Sequence, residues 1–363
     1  MIINRCTSTI LRFTTGELQP RACCAMVVSL ATACLALVAT MNFVVDPYAQ
    51  YASDVFEPLV QTSRAQKVQL LADMQPLPEG LVLGSSRVMK IEPDVLQRSI
   101  GFTFLNVGVN HAKPEDHLAI LRHYRSKHGR MPKCVVLGLD VNSFSDRNQT
   151  DARLLSNSDL LPHVSDSVPL SDRFQRWREL FGWQQTKMSI TSICHPASEE
   201  RRTPLESFRP DGLLVYHQRE QEIADGTYDF QSALDYTKRE YKQLLFDFDR
   251  LSKRRCGLFE ALAEECRQAN CRLFVFLTPM HPELRSYIAS STTYKLRKDE
   301  LRDFLLFQAK SRGFAFVDLS DVSQFDGDPQ LFVDGVHPLE PNTRKMIQRF
   351  VSTPDLEGDY AVQ

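Results

Sequence analysis

Two short segments, far apart in the chain, hold the residue types that an acyl-transfer site needs. Gly84-Ser85-Ser86-Arg87 follows an apolar run, and Asp334-Gly335-Val336-His337-Pro338 lies near the other end. A serine hydroxyl is a poor nucleophile until a base takes its proton. Histidine is the base best matched to neutral pH. A carboxylate must fix its tautomer and stabilise the imidazolium. An Asp and a His three apart on one Gly-containing turn supply both groups from a single loop. The pattern predicts Ser86 as nucleophile, His337 as base and Asp334 as the acid that holds it. Gly84 lets the chain turn sharply after a strand, and the backbone N–H groups beyond it can hold an oxyanion. Gly-Ser-Ser alone also reads as a helix cap or a phosphate cradle, and the Asp-His turn alone as solvent-facing. Their pairing at opposite ends of one domain selects catalysis.

These turns must be positioned by a scaffold. Leu81-Val82-Leu83 is a short apolar run ending at Gly84, and 102–105 is a second, ending at Asn106-Val107-Gly108. Further runs cover 134–139, 273–277 and 314–317. Between and after them, apolar residues recur at helical spacing over 114–126, 236–251, 258–270, 294–311 and 340–351, with Gly313 suited to a helix end. Buried strands alternating with helices predict a parallel sheet with crossover helices. Five strands in this order predict a flavodoxin-like, doubly wound α/β sheet, whose ligands sit beyond the carboxyl ends of the strands. Ser86 would follow strand one, and the Asp334–His337 turn follows strand five at the same sheet end. The stretch 147–235 breaks the rhythm and predicts an insertion after strand three, over the site. Its aromatics, among them Trp177, Trp183 and Tyr216, suit a small core of its own, or stacking on sugar rings.

The chain has 363 residues and a formal net charge of −2, which excludes broad electrostatic capture of nucleic acid. From Ala22 to Val45 there is no Asp, Glu, Lys or Arg, enough for a helix to cross a bilayer. Arg5, Arg12 and Arg21 precede this stretch and Asp46 and Asp54 follow it, so the positive-inside rule leaves the N-terminus in the cytoplasm. A cleaved signal peptide is the alternative reading. The expected organisation is a cytoplasmic segment at 1–21, a transmembrane anchor at 22–45 and a juxtamembrane connector at 46–79 with a helix near 63–74. An α/β domain at 80–351 and a loose tail at 352–363 follow. The main domain then lies outside the cytoplasm, periplasmic in a Gram-negative cell. None of the nine Cys forms a CxxC pair, so neither zinc nor another metal or cofactor is expected. An exported domain can pair two of Cys194, Cys256, Cys266 and Cys271, with no choice between pairings.

At these residues the chain resembles the SGNH, or GDSL-like, hydrolase superfamily. Gly84-Ser85-Ser86 matches its first block with Ser in place of Asp, and Asp334-x-x-His337 matches its last. The resemblance spans roughly 81–350 without the insertion. It implies an oxyanion hole completed by a backbone N–H at the second block, here Asn106 to His111, and by an Asn side chain at the third. The family's glycine aligns with His111, next to Asn110. Asp140 falls near the family's Asn, with Asn142 two residues later. The variant turn, single anchor and long insertion look more like the membrane-tethered SGNH proteins of bacterial envelopes, similar to alginate O-acetylation factors and DltD-like proteins. That resemblance implies an acyl donor, a cell-surface or exported glycan as substrate, and a multi-spanning membrane acyltransferase as partner. It implies O-acyl transfer or ester hydrolysis. A non-catalytic glycan-binding or assembly subunit keeping the fold, and a nucleotide binder using Gly-Ser-Ser, are the rival readings. Arg87 can bind an anionic substrate group or pair with an acid near the helix start. His281, after strand four, can reach the same cleft or remain a polar loop residue.

Overall fold

The computed structural model describes residues 20–48, 50–51, 53, 55–56, 64–194 and 206–352. Most of the expected cytoplasmic segment, and the tail beyond 352, lie outside them. In chain order the main elements are α1 (Pro20–Val45), α2 (Arg64–Asp73), β1 (Gly80–Leu83), α3 (Pro93–Ile100), β2 (Phe104–Asn106), α4 (Pro114–His128) and β3 (Cys134–Leu139). The insertion holds short helical turns, α5 (Trp183–Cys194), the hairpin β4 (Glu206–Phe208) and β5 (Leu214–Tyr216), and α6 (His217–Ala224). Then come α7 (Phe230–Leu245), α8 (Lys253–Gln268), β6 (Arg272–Leu277), α9 (Pro282–Ser291), α10 (Tyr294–Arg312), β7 (Ala315–Asp318) and α11 (Glu340–Val351).

The five-stranded sheet has the order β2-β1-β3-β6-β7, and every pairing in it is parallel. This is the flavodoxin-like doubly wound order, with the switch point beside β1. Alternate residues of each strand face opposite ways, and both faces are covered. Leu81, Leu83, Val135, Leu137, Val275 and Leu277 pack on the side of α4, α8 and α10. Val82, Val136, Phe274 and Phe276 pack on the other side against Leu96 of α3 and Met346, Ile347 and Phe350 of α11. The central strands are therefore apolar runs, because neither face meets water.

Two expectations need correction. The helix expected over 236–251 starts earlier and stops earlier, at Phe230–Leu245. Asp229 Oδ1 accepts the Ser232 N–H at 3.0 Å and sets the start. Phe248 remains in the core from a non-helical segment, with its carbonyl taken by Thr293 Oγ1. The second concerns the aromatics of the insertion. Tyr216 is buried, but Trp177 and Trp183 are 46% and 77% exposed, so they are not part of an insertion core. Cys134 is buried at the start of β3, and Cys194, Cys256, Cys266 and Cys271 are all free thiols.

α1 is long and apolar enough to cross a membrane, and among the described residues none buries the apolar window within it. Its last turns are attached to the insertion: Asn42 Nδ2 donates to the Leu180 carbonyl at 2.7 Å and to Thr186 Oγ1 at 2.9 Å.

Candidate active site

β1 delivers Ser86 through a turn that only small residues permit. Gly84 has φ +151°, and a Cβ there would stand 2.8 Å from the Gly138 carbonyl. Cβ atoms on Gly84, Gly108 or Gly138 would each come within 2.8 Å of the Val88 side chain. Three glycines from three neighbouring strand ends thus leave a socket, and Val88 fills it. Ser86–Val88 forms a short 3₁₀ turn whose Ser85 Oγ accepts the Arg87 N–H at 3.3 Å.

Asn106, at the end of β2, holds this turn from the side. Its Nδ2 donates to the Val88 and Ile91 carbonyls at 2.8 and 3.0 Å, and its Oδ1 accepts the Gly108 N–H. Lys67 of α2 supports it, donating from Nζ to the Asn106 and Gly212 carbonyls at 2.6 Å each. Burial pushes the Lys67 ammonium well below the usual lysine range. Sequence reasoning missed both roles, though one signal was available. A polar residue closing a buried strand is a signal for Asn106, whereas a Lys on a short helix reads as solvated.

The Asp334–His337 turn meets Ser86. His337 Nε2 lies 2.8 Å from Ser86 Oγ, and His337 Nδ1 lies 2.8 Å from Asp334 Oδ2. The second carboxylate oxygen, Oδ1, accepts the Val336 and His337 N–H groups at 2.8 and 3.0 Å. Desolvation alone would raise the Asp334 pKa, but the His337 ring and these donors outweigh it and hold it at about 2. The turn is fixed from outside as well: the Gly335 carbonyl accepts the His281 N–H at 2.9 Å, and the Val333 carbonyl accepts from Tyr228 Oη at 2.8 Å. The ring nitrogen roles follow from the partners: Nδ1 donates to the carboxylate, which leaves Nε2 to accept from Ser86.

The remaining candidates separate. Arg87 is buried beneath the site and contacts the end of β3, β6 and α7. Its Nε lies 3.5 Å from Asp140 Oδ1, Nη1 donates to Thr278 Oγ1 at 3.0 Å, and Nη2 donates to the Tyr241 hydroxyl. Asp140 also accepts from Thr278 Oγ1 at 2.7 Å. So Asp140 is the counter-ion of Arg87, and its position near the family's Asn does not make it an oxyanion donor. Arg87 is likewise satisfied within the protein, so of the two roles the sequence left open the pairing with an acid is the one the structure shows. Asn142 Oδ1 accepts from Arg87 at 3.4 Å, which turns the amide's Nδ2 the other way. His111 has φ +53°, in the left-handed region that side chains other than glycine rarely adopt. His281 does not line the cleft. It is buried, caps α9 through Nδ1, and packs its ring against Phe230 and Phe332.

Ser86, His337 and Asp334 open into a cleft of about 1130 Å³. Asn110, His111, Asp140 and Asn142 line it, as do Tyr236, Glu240 and Tyr241 of α7. The insertion contributes Arg147, Arg153 and Trp183, and the segment just after α1 contributes Tyr48 and Gln50. Among the described residues no group of three or more His, Cys, Asp or Glu side chains is arranged to hold a metal ion. An aligned hydroxyl, imidazole and carboxylate in such a cleft can activate the serine for attack on a carbonyl.

No protein-family model matches the chain. No curated protein matches it. A solved structure of a proposed acylhydrolase from Bacteroides fragilis is similar over 81% of this chain and 94% of its own, with 11% identity and a TM-score of 0.35. At that score it bears on neither fold nor chemistry, which rest on the sheet order and the geometry above.

Proposed function

We propose that this chain is a serine-dependent acyl ester enzyme, an O-acyltransferase or esterase, acting outside the cytoplasm on a cell-surface or exported polysaccharide. The observation that carries the proposal is the 2.8 Å contact between His337 Nε2 and Ser86 Oγ, with Asp334 on the opposite ring nitrogen. Ser86 Oγ attacks the acyl carbonyl while His337 Nε2 takes its proton. His337 then returns that proton to the leaving oxygen, which leaves the acyl group on Ser86. A water or sugar hydroxyl, deprotonated in turn by His337, releases it. On this reading the oxyanion is assigned to the backbone N–H groups of Ser86 and His111, with Asn142 Nδ2. The long apolar α1, read as an anchor, supports a position at a membrane. A long cleft lined by Arg, Tyr, Asn and Glu side chains suits a polyhydroxylated chain better than a compact apolar ester.

The rival reading, a fold kept only for glycan binding, requires no aligned hydroxyl. The Ser86–His337 contact speaks against it. The test is turnover of an activated acetyl ester by the full-length protein in detergent, with acetylated oligosaccharides as acceptors in a second arm. Loss of turnover in Ser86→Ala is expected. Equal turnover by wild type and Ser86→Ala would overturn the serine mechanism. Acetyl appearing on the oligosaccharide selects transfer, and free acetate alone selects hydrolysis.

A further inference from the structure

α5 is patterned inside out for a helix in water. Its buried residues are Gln185, Ser189 and Ser192, spaced along one stripe. The element packed along it is α1. Its outward residues include Trp183, Ile190 and Ile193, at 77%, 45% and 43% exposure. At the seam, Asn42 Oδ1, Gln185 Nε2, Ser189 Oγ and Ser192 Oγ are buried without a hydrogen-bond partner. A helix facing water would turn these polar groups outward and the Trp and Ile inward. Small polar residues in the seam with apolar residues outside is the pattern of helices packed in lipid, where the outer solvent is itself apolar.

We infer that the outer face of α5 lies in the same bilayer leaflet as the C-terminal half of α1, so that a second, non-spanning segment is embedded beside the anchor. The occupant of this face is lipid acyl chain. Continuity identifies it. Val38, Ala39 and Met41 of α1 are partly covered on the protein side and Asn42 and Val45 are buried, while Leu35, Leu37 and Phe43 are exposed. The exposed surfaces of the two helices therefore adjoin. Asn42 fixes the level, because it bonds Leu180 and Thr186 where α5 begins. From there the 12 residues of α5 extend about 18 Å at 1.5 Å per residue. α5 carries no acidic residue, and its one cation, Lys187, is exposed on a side chain long enough to reach headgroup phosphates. Trp183 also lines the catalytic cleft, so this placement brings the cleft mouth to the headgroup level. The acyl donor then arrives from the membrane side, as a lipid-linked or membrane-bound ester. The inference rests on the reading of α1 as a membrane span and deepens the proposed function.

The chain's two tryptophans, Trp177 and Trp183, make the test direct. The full-length protein is reconstituted in phosphatidylcholine vesicles with acyl chains brominated near the headgroup. Trp177→Phe reads Trp183 alone, and Leu35→Trp in a Trp177→Phe/Trp183→Phe background reads α1. Trp183 is expected to lose roughly half or more of its emission, as an interfacial residue should. Ile190→Asp/Ile193→Asp, placed in the Trp177→Phe chain, should restore much of it without changing ester turnover. Quenching at position 35 but not at Trp183 overturns the inference while the anchor stands, and assigns the face to a protein partner or a second copy. Quenching at neither removes anchor and inference together. Quenching at Trp183 alone keeps the lipid contact and removes the span.

Discussion

Arg87 Nε lies 3.5 Å from Asp140 Oδ1, so the residue after the proposed nucleophile is tied to the end of the neighbouring strand. Both side chains are buried. Breaking a buried pair by removing one partner leaves an uncompensated charge, which costs about 3–5 kcal/mol. Asp140→Ala should therefore lower the unfolding free energy by about that amount and reduce turnover by displacing Ser86. An Arg87→Met/Asp140→Leu double variant should cost less than the sum of the two single changes. Denaturant unfolding of the detergent-solubilised chain measures both, and strict additivity would argue that the two residues act independently.

The base and its carboxylate are expected to act as a unit. Asp334→Asn removes the acceptor that fixes the His337 tautomer, and a loss on the order of 10³- to 10⁴-fold in kcat is expected. Combining it with Ser86→Ala should lower turnover little further than Ser86→Ala alone. Steady-state rates on an activated ester decide this, and a loss below tenfold in Asp334→Asn would remove Asp334 from the mechanism.

Gly138 is predicted to tolerate no side chain. A Cβ there would stand 2.4 Å from Val88 Cγ1 and 2.8 Å from Phe276 Cζ. Gly138→Ala should destabilise by about 1–3 kcal/mol through overpacking and slow turnover, because Val88 holds the Ser86 turn. Adding Val88→Ala opens the socket and should recover part of the stability. Thermal unfolding of the single and double variants tests the pairing.

Acid should weaken the fold through Asp334. Its pKa is held at about 2 in the folded chain against an ordinary 3.8. A depressed carboxylate contributes stability that is fully present above about pH 4 and is lost as pH falls through about 2. The amount is on the order of 2 kcal/mol. Glu115, buried and paired with Arg255 at 3.0 Å, is likewise held at about 2 and weakens the fold in the same direction. Asp334→Asn should therefore flatten part of the acid limb and leave the Glu115 part. Unfolding free energies at pH 5, 4 and 3 would show it.

The sheet was readable from the chain because its central strands are buried on both faces and therefore apolar, as Val135 to Leu137 and Phe274 to Phe276 show. The Asp334–His337 pair was readable because its partners are local, three residues apart. Ser86 was readable only through that pair and its place after β1. The supports were not. Lys67 and Asn106 act through backbone carbonyls brought together by the fold, and no periodicity encodes that. Asp140 looked like a misplaced oxyanion residue because its counter-ion Arg87 comes from another strand end. Of the two roles the sequence left open for Trp183, a core position and a place where sugar rings could stack, its exposure at the cleft removes the first.

Asn42 bonds the end of α1 to the same insertion that walls the cleft. An enzyme on a slack leash sweeps a dome above its membrane and can meet ester groups at any elevation within reach. On the proposed reading, an enzyme riveted to its anchor at Leu180 would work at a single elevation, sliding sideways with the lipid. Its choice of target would then be set by how far an acylatable group stands off the bilayer, before any pocket has tested that group's shape.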